Sequence, residues 1–339
     1  MKFNTTFILI AFILFTLSLT GCKDNSTSTE SQSSNMTLIS TFKTSDYASG
    51  VSVGKIGTNT FAFVADGVSG LEIINVTVPV HPILASNYNT TGTSLNTFFA
   101  HINNIPFVLV ADGNQGCDII NVSDPYNPVL DTILTFQGDR VLSSFVDTTS
   151  KIAYIGTFIG NLYIYNLGNL PNSVSQLSVY TNLVDHIQGI HVVNGLAYIA
   201  DASVGMDMVN VTNPSAPVEI NGYNTPGYTN DVLVTMNRAY LADGGDGIFV
   251  IDVTNPFQIR LVGSVQTQGV SYNGLASNGA ILYSASADYG VEAFSIGTPN
   301  SPLRAGYYKT PSTVINVCYY EGYIYAAVSY TGLLILTLQ

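Results

Sequence analysis

Ala242-Asp243-Gly244-Gly245-Asp246-Gly247-Ile248-Phe249-Val250-Ile251-Asp252-Val253-Thr254-Asn255-Pro256 decides the fold, because the same phrase returns down the whole chain. Its core is Ala-Asp-x-x-x-Gly, an apolar run, then Val-Thr/Ser-Asn/Asp-Pro. The glycines recur at Gly70, Gly116, Gly160, Gly205, Gly247, Gly290 and Gly332, spaced 42 to 46 residues apart. Nine residues after five of them stands a proline: Pro79, Pro125, Pro214, Pro256 and Pro299. A period of this length marks one supersecondary unit copied in tandem.

The unit around that phrase reads as four short strands. Thr229–Val234 is the first, turned by Asn237-Arg238, and Ala239–Ala242 is the second. A glycine-rich turn leads to Ile248–Val253, which Pro256 ends because proline cannot donate to a ladder. Leu261–Val265 is the fourth. Four antiparallel strands in about 42 residues match a propeller blade. No segment shows a 3.6-residue apolar period, so an all-β chain is expected. Unit three diverges most, with Gly156-Thr157 where others have Ala-Asp.

Unit seven runs out at Leu333–Leu338 without a fourth strand. The stretch Leu38-Ile39-Ser40-Thr41-Phe42-Lys43-Thr44 resembles the fourth strands of other units and supplies a spare. Placed outside the last blade, it closes a seven-bladed ring and removes an open edge. The third-strand phrase, clearest at Gly247–Pro256, resembles the LVIVD repeat of extracellular bacterial and archaeal proteins. That resemblance spans residues ~36–339 and implies a β-propeller; it carries little about activity, since propellers host many.

The N-terminus is an address. Lys2, an apolar stretch from Phe7 to Leu19, and Leu19-Thr20-Gly21-Cys22 form a secretory signal. The apolar run is shorter than the ~20 residues of a membrane span. The tetrapeptide resembles a bacterial lipobox, which implies cleavage before Cys22 and lipid on that residue. The expected organisation is therefore a signal peptide over 1–21, a polar tether over 22–35 and the propeller over 36–339. Residues 23–35 read KDNSTSTESQSSN and have no apolar side chain to bury. The protein would be extracytoplasmic and membrane-anchored, not membrane-spanning. Lys23, not aspartate, follows Cys22, which leans towards the outer membrane or cell surface.

Charged residues are 9% of the chain, with ten Lys and Arg against 22 Asp and Glu. Ten scattered cations cannot track a phosphate backbone, so nucleic acid is not an expected partner. Cys117 and Cys318 fall at different strand positions of non-adjacent units and read as two buried thiols, not a disulfide. A monomer is expected, with an envelope protein, a peptide or a glycan as the partner.

Two sets of polar residues are candidates for function. The turn aspartates Asp66, Asp112, Asp201 and Asp243 would sit on one face and could offer oxygens to a hard cation such as calcium. The bland reading, a side chain bonded to nearby turn N–H groups, explains four copies better. The second set opens the innermost strands: Gly50, Asn96, Ser143, Gly189, Asp231, Asn273 and Asn316. These differ between blades, and a single site requires that asymmetry. Asn96, Asn230, Asp231, Tyr272, Asn273 and Asn316, with His186, Gln188 and Arg140 nearby, form the expected ligand patch at the channel mouth. The competing reading is that they satisfy strand ends and hold water. No catalytic residue stands out: there is no G-x-S-x-G elbow, and no histidine pair has compact metal-ligand spacing. The favoured function is a binding or interaction module with no cofactor beyond the lipid. The alternative is an envelope hydrolase or lactonase-like enzyme with a metal in the channel.

Overall fold

Each repeat supplies one twisted antiparallel sheet, and seven such sheets stand side by side in a ring. The structure, a computed structural model, describes residues 35–266, 270–287 and 289–339. The expected signal peptide, Cys22 and nearly all of the tether lie outside them. No helix occurs among the described residues. The fifth unit folds as Asp231–Thr235, Arg238–Ala242, Ile248–Asp252 and Arg260–Val265, close to the strands its sequence suggests.

The innermost strands are Ala48–Ile56, Asn96–Ile102, Val141–Asp147, Ile187–Val193, Asp231–Thr235, Tyr272–Ser277 and Asn316–Tyr320. Ala48–Ile56 neighbours both Asn96–Ile102 and Asn316–Tyr320, so first and last units meet. The strand Met36–Phe42 pairs antiparallel with Gly332–Leu338 and completes blade seven from outside. It begins two residues earlier than the sequence suggests. Buried Met36 anchors its start against blades six and seven, while Thr44 is buried in the loop beyond it.

Packing explains why closure is stable. One apolar layer joins Tyr325, Ala327, Leu333 and Ile335 of blade seven to Val51, Val53, Ala62 and Val64 of blade one. Each such Val, Leu or Ile contributes about 1.5–3 kcal/mol when fully buried. A repeated polar staple adds to this. Ser86 Oγ donates to the Pro125 carbonyl at 2.7 Å, and Ser178 Oγ to Pro214 at 2.6 Å. Across the closing seam Ser40 Oγ does the same to Pro79 at 2.5 Å. The terminal strand is thus held like any other fourth strand.

Strand direction separates two faces. Inner strands start at the face that also carries the aspartate turns, since Asn316 pairs with Ala327, just before the turn that leads to Gly332. The proline loops lie at the other end of the blades. Met36 pairs with Leu338, so the chain enters the propeller at that second face.

Candidate functional site: the channel mouth

The turn aspartates belong to the scaffold. Asp66, Asp112, Asp201 and Asp243 are all fully buried. Asp112 accepts hydrogen bonds from Thr90 Oγ1 at 2.7 Å, Gly92 N at 2.7 Å and Ser94 Oγ at 3.3 Å. Asp243 repeats this with Thr225 Oγ1 at 2.6 Å, Gly227 N at 2.9 Å and Thr229 Oγ1 at 2.7 Å. Asp66 accepts from Asp46 N, and Asp201 from Val184 N and Asp185 N. The donors lie 14 to 22 residues upstream, in the loop entering the same blade, not in the local turn as sequence suggested. Each carboxylate clamps that loop to its blade. Blade three reverses the device: loop residue Asp139 accepts from turn residue Ile159 N at 3.1 Å.

A second buried acid was not read from the sequence. It stands two residues after the turn glycine, as buried Glu72, Asp118 and Glu292 and half-buried Asp207. Burial pushes Asp118 up to about 6, with the neighbouring Asp112 adding to the shift. Burial, then Asp201, pushes Asp207 well above the usual carboxylate range. A fixed acid inside an otherwise apolar strand was the available signal. Among the described residues no three His, Cys, Asp or Glu side chains gather as a metal-binding group.

The same face opens into a cavity of about 730 Å³ on the ring axis. One residue from each blade lines it: Ser49, Leu95, Leu142, Gln188, Asn230, Asn273 and Ile315. Asn96, Asp231 and Asn316 line it too, each next in sequence to a member of that ring. Of the expected patch, Asn96, Asp231, Asn273, Asn316 and His186 therefore meet in one cavity, joined by Arg140 and Gln188. Tyr272 does not line it. A β-bulge between Tyr272 and Gly274 turns Asn273 to the cavity and Tyr272 into the core, where its ring lies 6.4 Å from that of Phe294. The same bulge makes Gly274, not Asn273, the structural counterpart of Asp231 and Asn316: each of the three pairs with the second-strand alanine of its own blade, Ala285, Ala242 and Ala327.

These polar side chains also join blades. Asn230 Nδ2 donates to the Tyr272 carbonyl at 2.9 Å, and Asn273 Nδ2 to Val314 at 2.8 Å. Asp231 Oδ2 accepts from Leu275 N at 2.8 Å, and its Oδ1 from Val232 N at 2.8 Å. Glycines make room for them. A Cβ on Gly189 would come within 3.0 Å of the Asp231 Cα, and one on Gly50 within 2.7 Å of the Asn96 Cα. The strand-end reading is thus part of the answer. One amide atom of Asn230 and of Asn273 goes to a neighbouring blade, and the oxygen of each remains for the cavity.

Electrostatics differ around the wall. Burial lifts the Asp231 carboxyl to about 7, although its two backbone hydrogen bonds favour the charged form. Across blades three and four the wall is aromatic and basic. Phe158 stacks on His186 with ring centroids 3.7 Å apart, and the Arg140 guanidinium lies 5.4 Å from the Phe158 centroid. His186 Nδ1 is 2.9 Å from Asp185 Oδ1. Gln188 Nε2 donates to the Tyr228 hydroxyl at 2.8 Å. Phe158, Tyr47 and Tyr228 were not picked out from sequence, although Phe158 falls in the most divergent turn. Cys117 is buried and unpaired; Cys318, expected to be buried, is only half so. It packs against the apolar layer between blades seven and one. Burial of His191 lowers its pKa to about 4, and its Nδ1 accepts from Val234 N at 3.1 Å.

Seven four-stranded blades around an axial cavity define a β-propeller. The LVIVD repeat model matches residues 47–90, 106–135, 186–225 and 226–267. The chain is a seven-bladed β-propeller that carries LVIVD repeats in four of its segments. The matches fall in blades one, two, four and five; blades three, six and seven are unmatched, and three is the most divergent in sequence. No curated protein matches the chain. Among solved structures it is similar to the crystal structure of the RRP9 WD40 repeats, at 10% identity and a TM-score of 0.72, covering 90% of this chain and 97% of that one. At that identity the likeness concerns the fold alone.

Proposed function

We propose that this protein is a lipid-anchored envelope protein whose propeller binds a small polar ligand, or the end of a peptide or glycan, in the axial cavity. The observation that carries the reading is the asymmetry of the wall. Seven equivalent positions hold Ser, Leu, Leu, Gln, Asn, Asn and Ile, while the turn aspartates recur unchanged in four blades. A volume near 730 Å³ falls within the ~300–1,000 Å³ of small-molecule sites. The lipobox-like Leu19–Cys22 supports the anchor.

The enzyme alternative asks for convergent carboxylates or histidines around one point. Among the described residues the mouth offers amides, one carboxyl, one imidazole, one guanidinium and aromatic rings, and binding is the reading we carry forward. Two experiments test it. Cys22→Ser should move the protein from the membrane fraction to the soluble one, and retention would remove the anchor. Thermal-shift screening against sugars, peptides and their derivatives should raise the melting temperature for a ligand class. That rise should be lost in Asn273→Ala; a rise unaffected by wall substitutions would place binding elsewhere.

A further inference from the structure

We infer that the cavity selects an organic carboxylate, paired with Arg140 while the body of the ligand lies against Phe158 and His186. This rests on the cavity being the binding site and names its ligand chemistry. The argument starts from the four arginines of the chain. Arg238 and Arg260 both pair with Asp252, and Arg304 pairs with Glu292 at 2.9 Å. Arg140 alone lies in the cavity wall, and among the described residues its guanidinium meets no carboxylate. Its neighbour there is the face of Phe158. An unopposed guanidinium is unusual in a chain of formal net charge −12, where acids outnumber it everywhere else.

The rest of the wall does not neutralise it. Among the described residues Asp231 is the only Asp or Glu lining the cavity, and both its oxygens already accept backbone N–H groups. Guanidinium is a planar fork of donors that matches a carboxylate in two hydrogen bonds. Phe158, held by its stack on His186, presents an apolar face beside that fork. On the opposite arc the Asn230 and Asn273 oxygens accept hydrogen bonds from ligand hydroxyl or amine groups. A carboxylate at one end and donors at the other describes two sources, a sugar acid or the free C-terminus of a peptide.

Titration calorimetry on the full-length protein in detergent separates these sources. One arm uses glucuronate-containing disaccharides and their methyl esters. The other uses mixed tetrapeptides with free and with amidated C-termini. In one arm the acid should bind at least about tenfold tighter than its neutral form, a difference of about 1.4 kcal/mol. Arg140→Gln should abolish that preference, Arg140→Lys should restore part of it, and added salt should weaken it. Equal binding of acid and neutral forms, an unchanged preference in Arg140→Gln, or no binding in either arm up to about 10 mM would overturn the inference. Neutral forms that bind and are weakened by Asn273→Ala would leave the cavity as the site and remove only the carboxylate.

Discussion

The turn aspartates and the mouth residues share one face of the ring and are opposite in kind. Asp112 and Asp243 are fully buried, and each accepts three hydrogen bonds from its own blade's entry loop. Asn230 and Asn273 are half-buried, and each gives one amide hydrogen bond to the next blade. Repetition in a ring marks what every blade needs in order to hold its shape. Departure from repetition marks where blades are free to differ, and a single off-centre ligand needs that freedom.

That contrast breaks most visibly at Asp243. Asp243→Ala strands two hydroxyls and an N–H in a dry site and should cost about 3 kcal/mol or more. Denaturant unfolding measures this, and ligand affinity of the folded fraction should stay unchanged. Next comes Gly189→Ala, whose Cβ would press on Asp231 across the blade boundary. We expect a loss of about 1–3 kcal/mol by the same assay, as for other overpacked sites. A wild-type melting temperature after that change would mean the mouth is looser than its geometry implies.

Titration sharpens the comparison further. Asp118, Asp207 and Asp231 hold their protons more tightly in the folded chain than in the unfolded one. Their contribution to stability is greatest below the unfolded value near ~4 and is lost as pH rises through the raised folded values. For Asp118 and Asp231 the window closes at about 6 and about 7. Melting temperature should therefore fall between pH 5 and 8 by an amount worth about 1 kcal/mol or more per group. Asp207→Asn should flatten part of that slope; an unchanged slope would show that this carboxyl titrates normally.

Smaller effects belong to the mouth. Asn273→Ala removes one inter-blade hydrogen bond, worth about 1 kcal/mol. Arg140→Gln, at an exposed side chain without a carboxylate partner, should shift stability by no more than about 0.5 kcal/mol.

Much of this is legible in the sequence. The 42-to-46-residue period gave blade number, strand order and the closing strand, because each blade must solve the same packing problem. The mouth was legible to within one residue. Counting along the repeat aligns Asn273 with Asp231, but the bulge at Tyr272–Gly274 inserts a residue and shifts the register. Bulges also occur at Ala48–Gly50, Val141–Ser143 and Ile187–Gly189, and each ends on Gly or Ser, as this one ends on Gly274, so a small residue near the start of an inner strand is the available signal. Phe158 and Tyr228 come from loops, where no period constrains position. The buried acids Glu72 and Asp118 hid inside runs that read as apolar strands.

The central claim is that the unequal ring, not the repeated one, binds. Its most direct test is the dissociation constant of the tightest glucuronate or tetrapeptide probe for Asn273→Ala and for Asp243→Asn, measured on folded protein. We predict a loss of about tenfold or more for Asn273→Ala and no change for Asp243→Asn. Unchanged binding in Asn273→Ala with a loss in Asp243→Asn would contradict the account and return the turn aspartates to the site.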